Sequence, residues 1–272
     1  MLAAATVHFP YMTAWPEQAQ ADHREATHAG FARIAKAFAD AGVETLIVVT
    51  SEHIVNLQPR MAPAFVIGSG DRHAAFPEPQ FKLAAVTRPG DPELAQALVQ
   101  QLYAHGFDPA HSEELRLDHG TTLPLQQLKI DERLRIVPII VNTLFPPLPT
   151  LRRCADLGRA LAQAVKNSGL QRRVAILATG GITHSVGEPG MDRNHPQFDA
   201  QFVADLVAGN LDQACAHSDR ELDALGNGTH EIRSWIVAAA AAQGQTPQVV
   251  SAIAYAPGWY TGVHQLLWQE AA

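Results

Sequence analysis

Arg173-Val-Ala-Ile-Leu-Ala-Thr-Gly180-Gly181-Ile-Thr-His184 is the stretch on which the reading of this chain turns. Its apolar residues fall on both faces, as in a strand buried on both sides within a parallel sheet. Two glycines at its carboxyl end let the backbone turn sharply or approach a ligand closely. In open α/β sheets, ligands bind in the crevice beyond the carboxyl ends of the strands. His184 therefore stands where a reactive residue would be placed, and the neighbouring segments are read for partners to it.

On the amino-terminal side, residues 133–142 form a second apolar run, in which Pro138 argues for an edge strand or a bulge. Phe145-Pro-Pro-Leu-Pro149 reads as a rigid loop, and Thr150 is placed to cap a helix with Leu151, Leu157, Leu161 and Val165 as its apolar stripe. Near the start of the chain, a strand over residues 3–8 ends at Pro10, and a helix over 17–41 carries Phe31, Ile34 and Phe38 and closes at Gly42. A strand over 43–50 follows and ends in Ser51-Glu52-His53. This is a βαβ unit, read as two adjacent strands that both finish in a histidine, His8 and His53. Residues 54–90 read as an irregular Pro- and Gly-rich excursion with one short strand at 64–67, and 91–105 as a helix with Leu94, Leu98 and Leu102. Asp118-His119-Gly120 precedes a short helix that ends near Leu128.

On the carboxyl-terminal side comes a polar loop over 188–196. Helices follow, the first lined by Phe198, Phe202 and Leu206, the second over 212–225, and a third over 230–242 capped by Asn227-Gly-Thr229. Strands at 249–255 and 262–268 complete the chain. The alternation predicts one α/β domain over residues 1–272, with a mostly parallel or mixed central sheet flanked by helices.

Composition narrows the function. The chain has 272 residues, 47% hydrophobic and 17% charged, enough for a sizeable core. Its net charge is −7, without a Lys/Arg-rich block, which argues against nucleic acid or an anionic membrane as a partner. No apolar run reaches the ~18 residues of a membrane span. Met1-Leu-Ala-Ala-Ala-Thr-Val lacks the positive start of a signal peptide, so a cytoplasmic location is expected. Cys154 and Cys215 lie far apart and suggest neither a disulfide framework nor a thiolate site. The chain has no P-loop, no complete dinucleotide-binding glycine motif and no Gly-x-Ser-x-Gly elbow. His230-Glu231-Ile-Arg-Ser234 matches a zincin motif for two residues only.

Of thirteen histidines, His8, His53 and His184 stand apart because three separate strands end at them. Neutral imidazoles that converge in this way suit a divalent metal. They equally suit satisfied polar residues at strand ends, and position alone leaves both readings open.

Taken together, His8, Ser51-Glu-His53-Ile-Val-Asn56, Asp118-His119-Gly-Thr121, Val137-Pro-Ile-Ile-Val-Asn142, Gly180-Gly181-Ile-Thr-His184 and His230-Glu231 resemble the class III extradiol ring-cleaving dioxygenases, the family of the catalytic β subunit of protocatechuate 4,5-dioxygenase. Thr150-Leu-Arg-Arg-Cys-Ala-Asp-Leu-Gly158 extends the likeness. The resemblance implies a mononuclear non-haem Fe(II) cofactor held by His8, His53 and Glu231, with His184 as the acid/base histidine and His119 as a second active-site histidine. It implies a catechol-type substrate (protocatechuate- or gallate-like, or an aminophenol), dioxygen as co-substrate, and a homo-oligomer that a small second subunit could join. Glu52 departs from the family's usual Asp before the second metal histidine, and no α-subunit-like region is seen, which leaves the outer wall of the substrate pocket unassigned. Two alternatives compete: a metal-dependent hydrolase in which the same ligands hold zinc, and a non-catalytic relative that uses the fold as a scaffold.

Overall fold

A computed structural model describes residues 1–269. The strands are β1 (Ala3–Thr6), β2 (Thr45–Thr50), β3 (Phe65–Gly68), β4 (Arg72–Ala74), β5 (Thr87–Pro89), β6 (Ala110–Ser112), β7 (Arg135–Val141), β8 (Val174–Thr179), β9 (Gln248–Ala256) and β10 (Thr261–Trp268). The helices are α1 (Tyr11–Ala14), α2 (Ala21–Asp40), α3 (Pro92–Ala104), α4 (His119–Gln127), α5 (Leu151–Asn167), α6 (Pro196–Val207), α7 (Leu211–Ala214), α8 (Asp219–Ala224) and α9 (Ile232–Ala241). Eight strands form one mixed sheet in the order β6-β3-β7-β2-β8-β1-β10-β9. Its middle, β7-β2-β8-β1, is parallel, and β10 and β9 extend it antiparallel beyond β1.

Strand periodicity divides the core. Ile47, Val49, Val137, Ile139, Ile176 and Ala178 pack against α3, α5 and α9, while Leu46, Val48, Ile136, Ile140, Ala175 and Leu177 pack against α2 and α4. Successive residues of a strand face opposite sides, so apolar residues at every position require a helical layer on each side. The cap read from the sequence at Thr150 is made, through Arg153 N–H, and the structure adds two more: Asp91 accepts from Leu94 N–H and Asp118 from Gly120 N–H. Cys154 lies in the core, and burial pushes its thiol up to about 12, so it is an inert packing group.

The structure corrects several expectations. β1 and β2 are not neighbours, because β8 lies between them. Pro138 is on the interior strand β7, not on an edge. The ladder to β3 stops at Ile67↔Ile139, however, and the proline ring packs where Gly68 has no side chain, so its missing N–H falls beyond the end of that ladder. The helix expected over 212–225 is two short ones, because the reciprocal capping box of Ser218 and Glu221 restarts the chain after Cys215. Asn227 caps no helix. Its side chain instead bonds Val186 N–H and C=O, and the segment enters α9 through a 3-10 turn over Asn227–Glu231. The excursion over 54–90 also holds the β4–β5 pair, and β6 extends the sheet beside β3.

Candidate active site

The carboxyl ends of β1, β2 and β8 deliver His8, Ser51–His53 and Gly180–His184 to one place. The amino end of α4 adds His119, and the turn before α9 adds Glu231. All five residues singled out from the sequence meet there. Glu231 is the hub: its Oε1 lies 3.2 Å from His8 Nε2 and 3.4 Å from His53 Nε2, and its Oε2 lies 3.6 Å from His184 Nε2. Ser51 Oγ donates to Oε1 at 2.9 Å and Gly181 N–H to Oε2 at 2.7 Å. This explains the paired glycines. Gly180 has φ +151°, and a Cβ there would stand 2.8 Å from the Cβ of Glu231. A Cβ at Gly181 or at Gly228 would run into the ring of His184, which lies in the slot between them. Trp235 Nε1–H anchors the Gly180 carbonyl at 2.9 Å, and Asp199 accepts from the N–H and the hydroxyl of Thr183 to fix the turn before His184.

The tautomers of the two histidines nearest Oε1 follow from their second partners. The single hydroxyl proton of Thr179 goes to the Gly120 carbonyl at 2.7 Å, so its oxygen is left to accept from Thr50 and from His8 Nδ1–H at 3.2 Å. Asp118 Oδ2 accepts from His53 Nδ1–H at 2.9 Å and from the His53 backbone N–H at 3.1 Å. Both rings therefore present Nε2 towards Glu231, the arrangement by which a carboxylate or hydroxyl orients a metal-binding imidazole. Glu52, buried one residue earlier, takes the N–H groups of Ile54, Val55 and Asn56 and holds Ile54 at φ +63°. It therefore shapes the turn that carries His53.

The donor set fits a transition metal. Two ligand atoms ~2.1 Å from a common ion and ~90–105° apart lie ~3.0–3.3 Å from each other, close to the separations of the His8 and His53 nitrogens from Glu231 Oε1. A second set shares two members: ligand atoms of His8, His53 and His119 all lie within 4.8 Å of one another. His119 Nδ1 is already committed to Glu78 at 2.8 Å, whereas Glu231 Oε1 faces both shared histidines at 3.2 and 3.4 Å.

Charge in the cluster is concentrated. Burial opposes ionisation of Glu231, but His8, His184 and His53 hold its carboxyl well below the usual range. Burial also opposes charge on His53, yet Asp118 and Glu231 outweigh it and push the imidazole up to about 10. Asp118, which burial would raise, is drawn down to about 2, chiefly by His53. A bound cation would take the place of the His53 proton. Burial lowers His184 and, with the charge of His53, lowers His119, which favours neutral imidazoles at both. The side chain of His53 is 24% exposed, against 7% for Glu231, so the cluster opens on the His53 side.

Glu78, Ser51 and Thr179 were missed in the sequence, and Asp118 was read only as part of a motif. Ser51 and Thr179 close their strands as ordinary hydroxyl residues. The one hint to Glu78 is its place as a lone acid between Pro77 and Pro79.

An α/β sheet with histidines and one carboxylate gathered at its carboxyl edge defines a candidate metal-dependent site. The chain belongs to the family described as the catalytic LigB subunit of aromatic ring-opening dioxygenase, whose model matches residues 2–263. It is similar to a gallate dioxygenase of Pseudomonas putida, 35% identical over 152 residues that cover 54% of this chain and 44% of the relative. It is also similar to a 2,3-dihydroxyphenylpropionate/2,3-dihydroxicinnamic acid 1,2-dioxygenase of Photorhabdus laumondii, 30% identical over 175 residues, 64% of this chain and 53% of the relative. Each of these matches thus spans about half the relative's length. A relative of the latter name from Klebsiella pneumoniae is 26% identical over 83% of this chain and 84% of its own. An uncharacterised protein of Escherichia coli K12 shares the fold, with a TM-score of 0.60 over 98% of this chain and 99% of its own at 14% identity. Among the described residues, no helix is long and apolar enough to cross a membrane.

Proposed function

We propose that this chain is a non-haem Fe(II)-dependent extradiol dioxygenase that inserts both atoms of dioxygen into a catechol-type substrate and opens its ring. The observation that carries the proposal is the convergence of His8 Nε2 and His53 Nε2 on Glu231 Oε1, with His184 and His119 beside them, in a chain of this family. His8, His53 and Glu231 would hold the iron. Ferrous iron bound by two imidazoles and one carboxylate supplies open coordination positions and one-electron redox chemistry.

The chain's own residues supply orientation and protons. Thr179 and Asp118 hold a proton on Nδ1 of His8 and His53, so that Nε2 is the nitrogen each would turn to a bound cation, and Ser51 and Gly181 fix the Glu231 carboxylate. A catechol must lose a hydroxyl proton before its ring is attacked, and the opened product must regain one. His184, neutral in its glycine slot, is the first proton carrier, and His119 is the second. The substrate is an aromatic ring with two adjacent oxygen functions, or one oxygen and one amino function, of the gallate, protocatechuate or aminophenol type. We place the protein in the cytoplasm as a homo-oligomer, which a small second subunit could join. Sedimentation of the purified chain tests the assembly.

The test of function is dioxygen consumption by protein reconstituted anaerobically with Fe(II), against a panel of catechols and aminophenols. One dioxygen consumed per ring lost supports the proposal. Ester or amide turnover by a zinc-loaded, iron-free preparation, with no oxygen uptake by the iron form, contradicts it.

A further inference from the structure

His119 is held differently from the other imidazoles of the cluster. His8 and His53 lean on Thr179 at the end of β8 and on Asp118 at the cap of α4. His119 leans on Glu78, from the irregular segment between β4 and β5. Pro77 and Pro79 flank Glu78 and fix φ on either side of it, so a stiff backbone aims the side chain. The Glu78 carboxylate accepts from His119 Nδ1–H at 2.8 Å, and Phe81 packs edge-on against the ring at 5.2 Å. Both Glu78 and His119 are buried, and Glu78 Oε2 is buried without a hydrogen-bond partner among the described residues. A buried carboxylate with a single bond is costly, and packing alone would favour an apolar residue there. Its one bond goes to His119.

We propose that Glu78 is a positioning residue for His119: it fixes the proton on Nδ1, leaves Nε2 as the nitrogen free to meet substrate, and holds the ring beside His53. The catalytic half of this inference rests on the proposed ring-opening function; the tautomer half does not. A neutral imidazole carries one N–H and one lone pair. With Nδ1–H committed to the carboxylate, Nε2 is an acceptor that can take a hydroxyl proton from the substrate and return it, while the Nδ1 proton stays in place. Without Glu78 the two tautomers compete and the ring loses its fixed orientation.

The test begins with nitrogen-15 spectra of the histidine rings in the metal-free protein near neutral pH, with His119 assigned by comparison with His119→Ala. The expected result is Nδ1 protonated and Nε2 bare in the wild type, with that preference lost in the isosteric Glu78→Gln. In Fe(II)-loaded protein, Glu78→Gln should lower kcat by about 10–100-fold with iron content unchanged and KM little moved. In a His119→Ala background the same substitution should cost nothing further. A bare Nδ1 in the wild type overturns the proposal, and so does an equal loss in both backgrounds. The wild-type spectrum decides the tautomer even if Glu78→Gln folds poorly. A wild type that shows the expected tautomer but opens no ring supports the Glu78 assignment and contradicts the proposed function instead.

Discussion

The two ends of the parallel sheet each bury a cluster of charge, and they are built on opposite plans. At the amino end, Asp91 is almost fully buried, yet every one of its bonds is answered. It caps α3 through Leu94 N–H, accepts from Thr45 at the start of β2, and pairs with Arg172 just before β8, while Arg135 of β7 lies 3.8 Å away. Among the described residues, Glu231 at the carboxyl end pairs with three imidazole nitrogens within 3.6 Å and with no lysine or arginine, His184 Nδ1 has no partner, and neither has Glu78 Oε2. The amino-end anion is neutralised by permanent cations and needs nothing else. The carboxyl-end cluster is short of positive charge that titratable rings supply only when protonated, and a bound cation would complete it. A buried charge cluster whose partners are all present belongs to the fold; one that still lacks a partner marks a site for binding and chemistry.

Substitutions at the two ends should separate accordingly. The largest effect belongs to the histidines that face Glu231 Oε1: His8→Ala or His53→Ala should leave a folded protein with little iron and turnover at background, read by metal analysis and oxygen uptake. Full iron occupancy in both would remove them from the ligand set. Next is His184→Gln, which should keep iron and anaerobic catechol binding while turnover falls by about 10²–10⁴, the worth of a positioned general acid/base. Loss of iron in that variant would make His184 a ligand. Gly228→Ala comes third. Its new Cβ would stand 2.2 Å from His184 Nε2 and must displace the ring, and a displacement of ~1 Å costs about 10² in rate. Normal turnover would show that the glycine slot does not place the histidine. The smallest effect on catalysis is expected at the amino end. Asp91→Ala removes the α3 cap, the Thr45 hydrogen bond and one of the two partners of Arg172, which keeps Glu93, and should destabilise the fold by about 1–3 kcal/mol in denaturant titration. Turnover per folded molecule should not change. A large fall in that quantity would erase the distinction between the two ends.

What was legible in the sequence follows the range over which each feature acts. The cap by Thr150 and the doubly buried β8 are set by a few adjacent residues, and they could be read directly. The insertion of β8 between β1 and β2 is a matter of tertiary order that no local pattern carries, so His8 and His53 were placed on neighbouring strands when they meet across an intervening one. β4, β5 and β6 are three residues each, too short for a periodicity to show. His8, His53 and His184 could be read because they follow strand ends, and His119 and Glu231 only through resemblance, since a histidine at a helix start or an acid in the turn before one looks like ordinary helix-start chemistry. The groups that orient them could not be read, because each bond closes over a long gap in the chain: Glu78 to His119 spans 41 residues, Asp118 to His53 spans 65 and Thr179 to His8 spans 171.

Two ligand sets share His8 and His53 and differ in the third member, a carboxylate in one and an imidazole in the other. The decisive measurement is iron content after anaerobic Fe(II) reconstitution of Glu231→Ala and His119→Ala side by side, with oxygen uptake on a catechol recorded for each. Little iron in Glu231→Ala, with full iron and reduced turnover in His119→Ala, is the result predicted for iron on His8, His53 and Glu231. Iron retained by Glu231→Ala and lost from His119→Ala would contradict it and place the metal among three histidines.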